Sequence, residues 1–248
     1  MSNYEPNVTT APADDYAAGA AAELRMRRES QSAVKTVTSL AMLTALTYLA
    51  MVFSKVLPQF SGFLQFEIKG TVIAIGGFLF GPLSAAVISI VVGVIEMFTV
   101  SDTGIIGCIM NLLAACAFAC PAAYIYQKNR TRKGAVIGLT AGVAALTVTM
   151  LLWNYLITPI YMHMDRSVVA AMLPTVFLPF NLAKGGLNMA LTLVLYKPVV
   201  TALRKARLVP EREGSSQGSD RIDAGFLLFS FALLATFVVL ILVLCGKI

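Results

Sequence analysis

The stretch "LPFNLAKGGLN", residues 178–188, places a lysine and two asparagines inside a run that is otherwise apolar from Ala170 to Leu195. Asn181, Lys184 and Asn188 are spaced i, i+3, i+7 and fall on one face of a helix. Lys184 stands near the middle of the run, roughly 20 Å from either end of a helix of that length. A lysine at the centre of a membrane helix costs roughly 2.5–3.5 kcal/mol, so it belongs against a cavity or the protein interior, with a partner. Gly185 and Gly186 remove side chains beside that face and let a ligand or a second helix approach. Pro174 and Pro179 weaken the helix just ahead of it and free backbone carbonyls.

Similar polar residues interrupt other apolar runs. Asn154 lies in "LLWNYLITPIY" beside Trp153, and Asn111 lies in "GIIGCIMNLL". Two acids, Glu67 in "FLQFEIKG" and Glu96 in "GVIEMF", fall near the opposite ends of their runs from the basic clusters. Polar contacts that only hold membrane helices together average well under about 1 kcal/mol, too little to account for a central lysine. Asparagine amides, one ammonium, glycine-lined backbone and apolar walls suit a flat heterocycle with polar edges. The residues alone carry the reading to a membrane-embedded small-molecule site that opens outward.

Composition sets the frame for these residues. Of 248 residues, 58% are hydrophobic and 13% charged, with a mean hydropathy of +0.79. Soluble domains are closer to half apolar and a quarter charged. The surplus comes in blocks at about 34–56, 66–80, 82–99, 104–127, 133–160, 170–200 and 224–245. Most are close to the ~20 residues that a transmembrane helix needs. The expected fold is therefore an all-α integral membrane protein. The second block is short, and Gly81-Pro82 is the turn that parts it from the third. Residues 1–32 read as a disordered cytoplasmic tail, 33–205 as the membrane domain, 206–222 as a polar cytoplasmic linker and 223–248 as a further transmembrane helix.

Most of the 19 lysines and arginines fall in the tail, in 128–133 and in 197–221, which puts the N-terminus in the cytoplasm. The net charge of +6 is thereby explained by topology and anionic lipid, with no nucleic-acid partner. The single histidine, His163, lies in a connection, and the four cysteines form neither CxxC nor a Cys/His cluster, so no metal site is expected.

Four motifs, "GGFLFGP", "TGIIGCIMN", "NYLITPIY" and "LPFNLAKGGLNMALTLVLYKP", resemble the S components of energy-coupling factor (ECF) vitamin transporters, above all the riboflavin-specific branch. The similarity covers about residues 34–204, and PFNLxKG is its most specific part. The resemblance implies a six-helix bundle that takes its vitamin from outside and docks on a membrane T component carrying two cytoplasmic ATPases. It implies that Asn181, Lys184 and Asn154 contact the flavin and that an outer loop with Phe66 and Glu67 closes over it. Gly185, Asn111 and Asn188 complete the candidate site. The family's small-residue docking face matches Ala41 and Ala45 on the first helix. No GxxxxGK[ST] occurs, so the ATPase must be another chain. The last apolar block is extra to the six-helix pattern; its uniform Leu/Phe/Val surface reads as facing lipid or a partner and as leaving the pocket unaltered. The competing readings are an S component for another vitamin or for FMN, a secondary transporter, for which no repeat is seen, and a membrane enzyme, for which no activated nucleophile or carboxylate pair is seen.

Overall fold

The structure is a computed structural model that describes residues 13–57, 59–61, 64–100, 104–206 and 224–246. Helix α1 (Ala13–Ser54) leads into a two-stranded antiparallel hairpin, β1 (Gln59–Phe60) and β2 (Leu64–Gln65). Then follow α2 (Lys69–Phe80), α3 (Pro82–Thr99), α4 (Gly104–Lys128) and α5 (Arg132–Met162). Helix α6 (Arg166–Met172) runs through a π-helical stretch (Leu173–Phe177) into α7 (Leu178–Lys205), and α8 (Ala224–Leu244) closes the chain. Among the described residues, six helical segments are long and apolar enough to cross a membrane, counting Arg166–Leu203 as one. The chain is a multi-pass membrane protein.

The short helix α2 is the centre of the bundle. It packs against α1, α3, α4 and α7, and its residues from Ile73 to Phe78 are all buried. A helix that is apolar all round has no solvent face and sits inside. At 12 residues it spans only about 18 Å, less than the ~30 Å hydrocarbon core. Gly81 makes the turn into α3 with φ 106°, a conformation open to glycine, and Pro82 starts α3 where its missing N–H costs nothing.

Three features differ from the sequence reading. Helix α1 begins at Ala13, so residues 13–32 are helical where a disordered tail is expected; Ala, Glu, Leu, Met and Arg there are strong helix formers. Residues 1–12 and almost all of the linker at 206–222 lie outside the described residues. The hairpin is an unexpected strand pair, with Gln59 opposite Gln65 and Phe60 opposite Leu64. Strands of two residues are too short to show alternation. The prolines near residue 174 widen the helix into a π turn rather than breaking it, so α6 and α7 continue one another.

Candidate binding site at the start of the second helix

The side chain of Lys184 finds its partner 117 residues away: its Nζ lies 2.8 Å from Glu67 Oε2. The second oxygen of Glu67 lies 3.2 Å from Lys69 Nζ, and Lys69 Nζ lies 2.5 Å from Glu96 Oε2. Asn111 donates to the remaining oxygen of Glu96 at 3.2 Å. Side-chain exposure is 16% for Lys184, 9% for Glu67, 7% for Lys69 and 4% for Glu96, so the whole chain of charges is shielded. Lys184 Nζ also stands 5.9 Å from the centre of the Phe180 ring, within cation–π reach.

Asn188 ties α7 to the start of α2. Its Oδ1 accepts from the backbone N–H of Thr71 at 2.8 Å and from Thr71 Oγ1 at 3.1 Å. Its Nδ2 donates to the carbonyls of Glu67 at 2.7 Å and Lys184 at 2.9 Å. A helix start leaves backbone N–H groups short of partners; the Thr71 N–H is shared here between the Ile68 carbonyl at 3.1 Å and the amide oxygen of Asn188. Gly70 permits the approach, because a Cβ there would come within 2.9 Å of Asn188 Oδ1.

These groups border a cavity of about 30 Å³. Glu67, Lys69, Asn111, Lys184 and Asn188 form its polar side, and Ala114, Ala115, Phe118 and Leu146 its apolar side. It is far smaller than the ~300–1,000 Å³ of a site holding a drug-sized molecule.

The expected site residues therefore divide into two sets. Lys184, Glu67, Asn111 and Asn188 converge on the cavity. Asn181, Asn154, Gly185 and Phe66 do not line it. Asn181 and Asn154 turn back on their own helices, donating to the carbonyls of Phe177 at 2.8 Å and Met150 at 2.7 Å; Thr158 donates to the free oxygen of Asn154 at 2.9 Å. Such i−4 bonds satisfy a buried amide without any tertiary partner. Gly185 meets Val143 and Leu146 of α5 and serves close helix packing. Phe66 is fully buried and packs on Phe180, ring centres 4.9 Å apart, and Phe60 stacks on the same Phe180 ring at 6.1 Å.

Lys69 is a functional candidate that the sequence reading missed, and Glu96, singled out there as an acid in an apolar run, was not placed in the site. Charge bias places Lys69 with the few basic residues on the outer side, and the structure buries it between two acids. The signal was the spacing in "FEIKG" together with a second acid, Glu96, in an apolar run. Nothing in one dimension pairs residues 27 apart on separate helices. Ala41 and Ala45 both lie on the exposed side of α1.

The last helix is not confined to lipid. Phe237 of α8 lies directly over Gly186, where any Cβ would collide with its ring. Leu234, Phe237, Ile241 and Leu244 pack into the cluster that holds Phe60, Phe66, Phe180 and Ala183. The helix is expected to leave the pocket unaltered; none of its residues lines the cavity, and it backs the helix that carries Lys184.

Residues 35–196 match the family model described as the ECF transporter substrate-specific component. The chain belongs to this family. It is a transport family, and the chain is not an enzyme. Among curated relatives, the chain is 26% identical over 187 residues to the riboflavin transporter FmnP of Bacillus subtilis, covering 71% of this chain and 98% of that protein. It is 26% identical over 176 residues to the riboflavin transporter RibU of Streptococcus thermophilus, covering 67% and 83%. The solved structure described as "Structure and mechanism of the S component of a bacterial ECF transporter" superposes with a TM-score of 0.58 at 22% identity, over 68% of this chain and 98% of that one. That likeness shows the fold of an S component, and α8 lies outside the residues that the family model matches.

Proposed function

We propose that this S component captures riboflavin at the outer face of the cell membrane and delivers it inward with a T component and two cytoplasmic ATPases. The observation that carries the reading is the convergence of Lys184, Glu67, Asn188 and Asn111 on one small cavity with an apolar far wall. Both relatives named above are riboflavin transporters at 26% identity, which supports the choice of vitamin.

The cavity in this structure is only about 30 Å³, far too small for a vitamin, so the vitamin enters by parting the hairpin side from α7. The bond to part is Lys184–Glu67, which joins α7 to the segment between hairpin and α2. A flavin has carbonyl acceptors for the ammonium and an imide N–H for a carboxylate, so it can replace each half of the ion pair by a charge-assisted hydrogen bond. This exchange keeps both charges satisfied, which is what a buried pair requires when it opens. Asn181 shares the helical stripe of Lys184 and Asn188, and Asn154 lies on α5; both become contacts as the cavity widens. With the N-terminus in the cytoplasm, the exposed Ala41 and Ala45 face is assigned to the T component.

The test is direct. The purified full-length chain in detergent should quench riboflavin fluorescence stoichiometrically, with submicromolar affinity. Folded, monodisperse protein that leaves the fluorescence unchanged would transfer the site to another vitamin.

A further inference from the structure

The four buried charges Lys184, Glu67, Lys69 and Glu96 alternate in sign along one connected path and sum to zero. Three of them line the cavity, and these three alone would carry a net positive charge. Glu96 stands behind Lys69, on α3, held by Lys69 and by Asn111. No other charged side chain lines the cavity among the described residues. Taking an unbalanced charge into an apolar interior is strongly unfavourable, so the balance of the wall decides the charge of the ligand it accepts.

We infer that the Lys69–Glu96 pair sets the charge selectivity of the site, and that Glu96, by neutralising Lys69, makes the cavity select an uncharged polar ligand over its anionic counterpart. Glu96 acts through Lys69 and is a positioning and charge-balancing residue. The inference rests on the flavin reading and deepens it: the ligand class is the neutral flavin, and the phosphate ester is disfavoured. Discrimination of this kind works by rejecting the wrong partner as much as by holding the right one.

The experiment is a charge series on the full-length protein in detergent, with riboflavin and riboflavin 5′-phosphate as probes and the ratio of their dissociation constants as readout. The wild type has a neutral wall, Glu96→Gln a wall of one extra positive charge, and Lys69→Met one of extra negative charge. The double variant Lys69→Met/Glu96→Gln is neutral again. The wild type should favour riboflavin by about tenfold or more. Glu96→Gln should narrow that ratio by about fivefold, and Lys69→Met should widen it. The double variant should return to the wild-type ratio, even where its absolute affinities are lower. A purely structural role for the pair would weaken both ligands together and leave the ratio constant across the series. That result overturns the inference, as does a wild type that binds both flavins equally, which needs no variant to fold. If the wild type binds neither flavin, the riboflavin reading fails and this inference falls with it.

Discussion

Helix α7 shows two opposite solutions to the same problem of packing inside a membrane. On one side, Lys184 and Asn188 reach α2 and Glu67 through charged and amide contacts. On the other, Gly186 offers bare backbone and Phe237 of α8 fills it. The polar side borders a cavity and carries charged and amide groups of the kind a ligand could satisfy. The apolar side has no group that a ligand could satisfy, and it is closed by van der Waals contact alone. In lipid, where apolar burial between helices gains little, close packing and small residues take over that role. One rigid face behind a labile one is what a binding helix needs, because the ligand can then open one interface without loosening the other.

The sharpest way to break this contrast is to strand a charge. Glu67→Ala leaves Lys184 without its carboxylate and removes one of the two acids around Lys69. Breaking a buried pair costs about 3–5 kcal/mol, so thermal unfolding in detergent should shift markedly and riboflavin binding should be lost. A variant that melts like the wild type would show that the pair is hydrated rather than buried.

Lys184→Ala should lower riboflavin affinity by about tenfold or more while membrane insertion persists, since an unpaired polar edge on the ligand costs about 1–3 kcal/mol. Unchanged affinity would remove Lys184 from the site. On the apolar side, Gly186→Leu should force α8 away from α7. Its main effect should be a lower unfolding temperature, with riboflavin affinity per folded molecule changed less than in Lys184→Ala. The reverse pattern would mean that the two faces are not separate in function.

Asn181→Ala sharpens the comparison further. Among the described residues its amide bonds to its own helix, and even interhelical polar bonds in membranes average about 0.6 kcal/mol, so stability should hardly change. Riboflavin affinity should still fall about tenfold if the cavity widens along that stripe, as the resemblance implies. A null effect on binding would confine the site to the residues that border the cavity before the ligand arrives. The smallest effect on binding is expected for Thr158→Val, which takes the donor from the buried Asn154 Oδ1 and should lower melting by a few degrees.

Much of this was legible beforehand for physical reasons. Hydrocarbon thickness dictates the length of apolar blocks, so the helices could be counted from composition, and Gly81-Pro82 marked a turn by backbone chemistry alone. The energetic cost of Lys184 in the bilayer announced a buried partner without naming it. The hairpin escaped notice because four residues of strand carry no period. The helical run from Ala13 was hidden by the polarity of a tail that reads as unfolded.

The sequence by itself determined the membrane class, the span pattern and the helical stripe of Asn181, Lys184 and Asn188, because each follows from local geometry and from the solvent surrounding a segment. Only the tertiary structure decided which acid meets Lys184, that Lys69 lies between Glu67 and Glu96, and that α8 presses Phe237 onto Gly186. Those contacts join residues far apart in the chain, and a buried charge accepts any opposite charge that the packing of the bundle brings within reach.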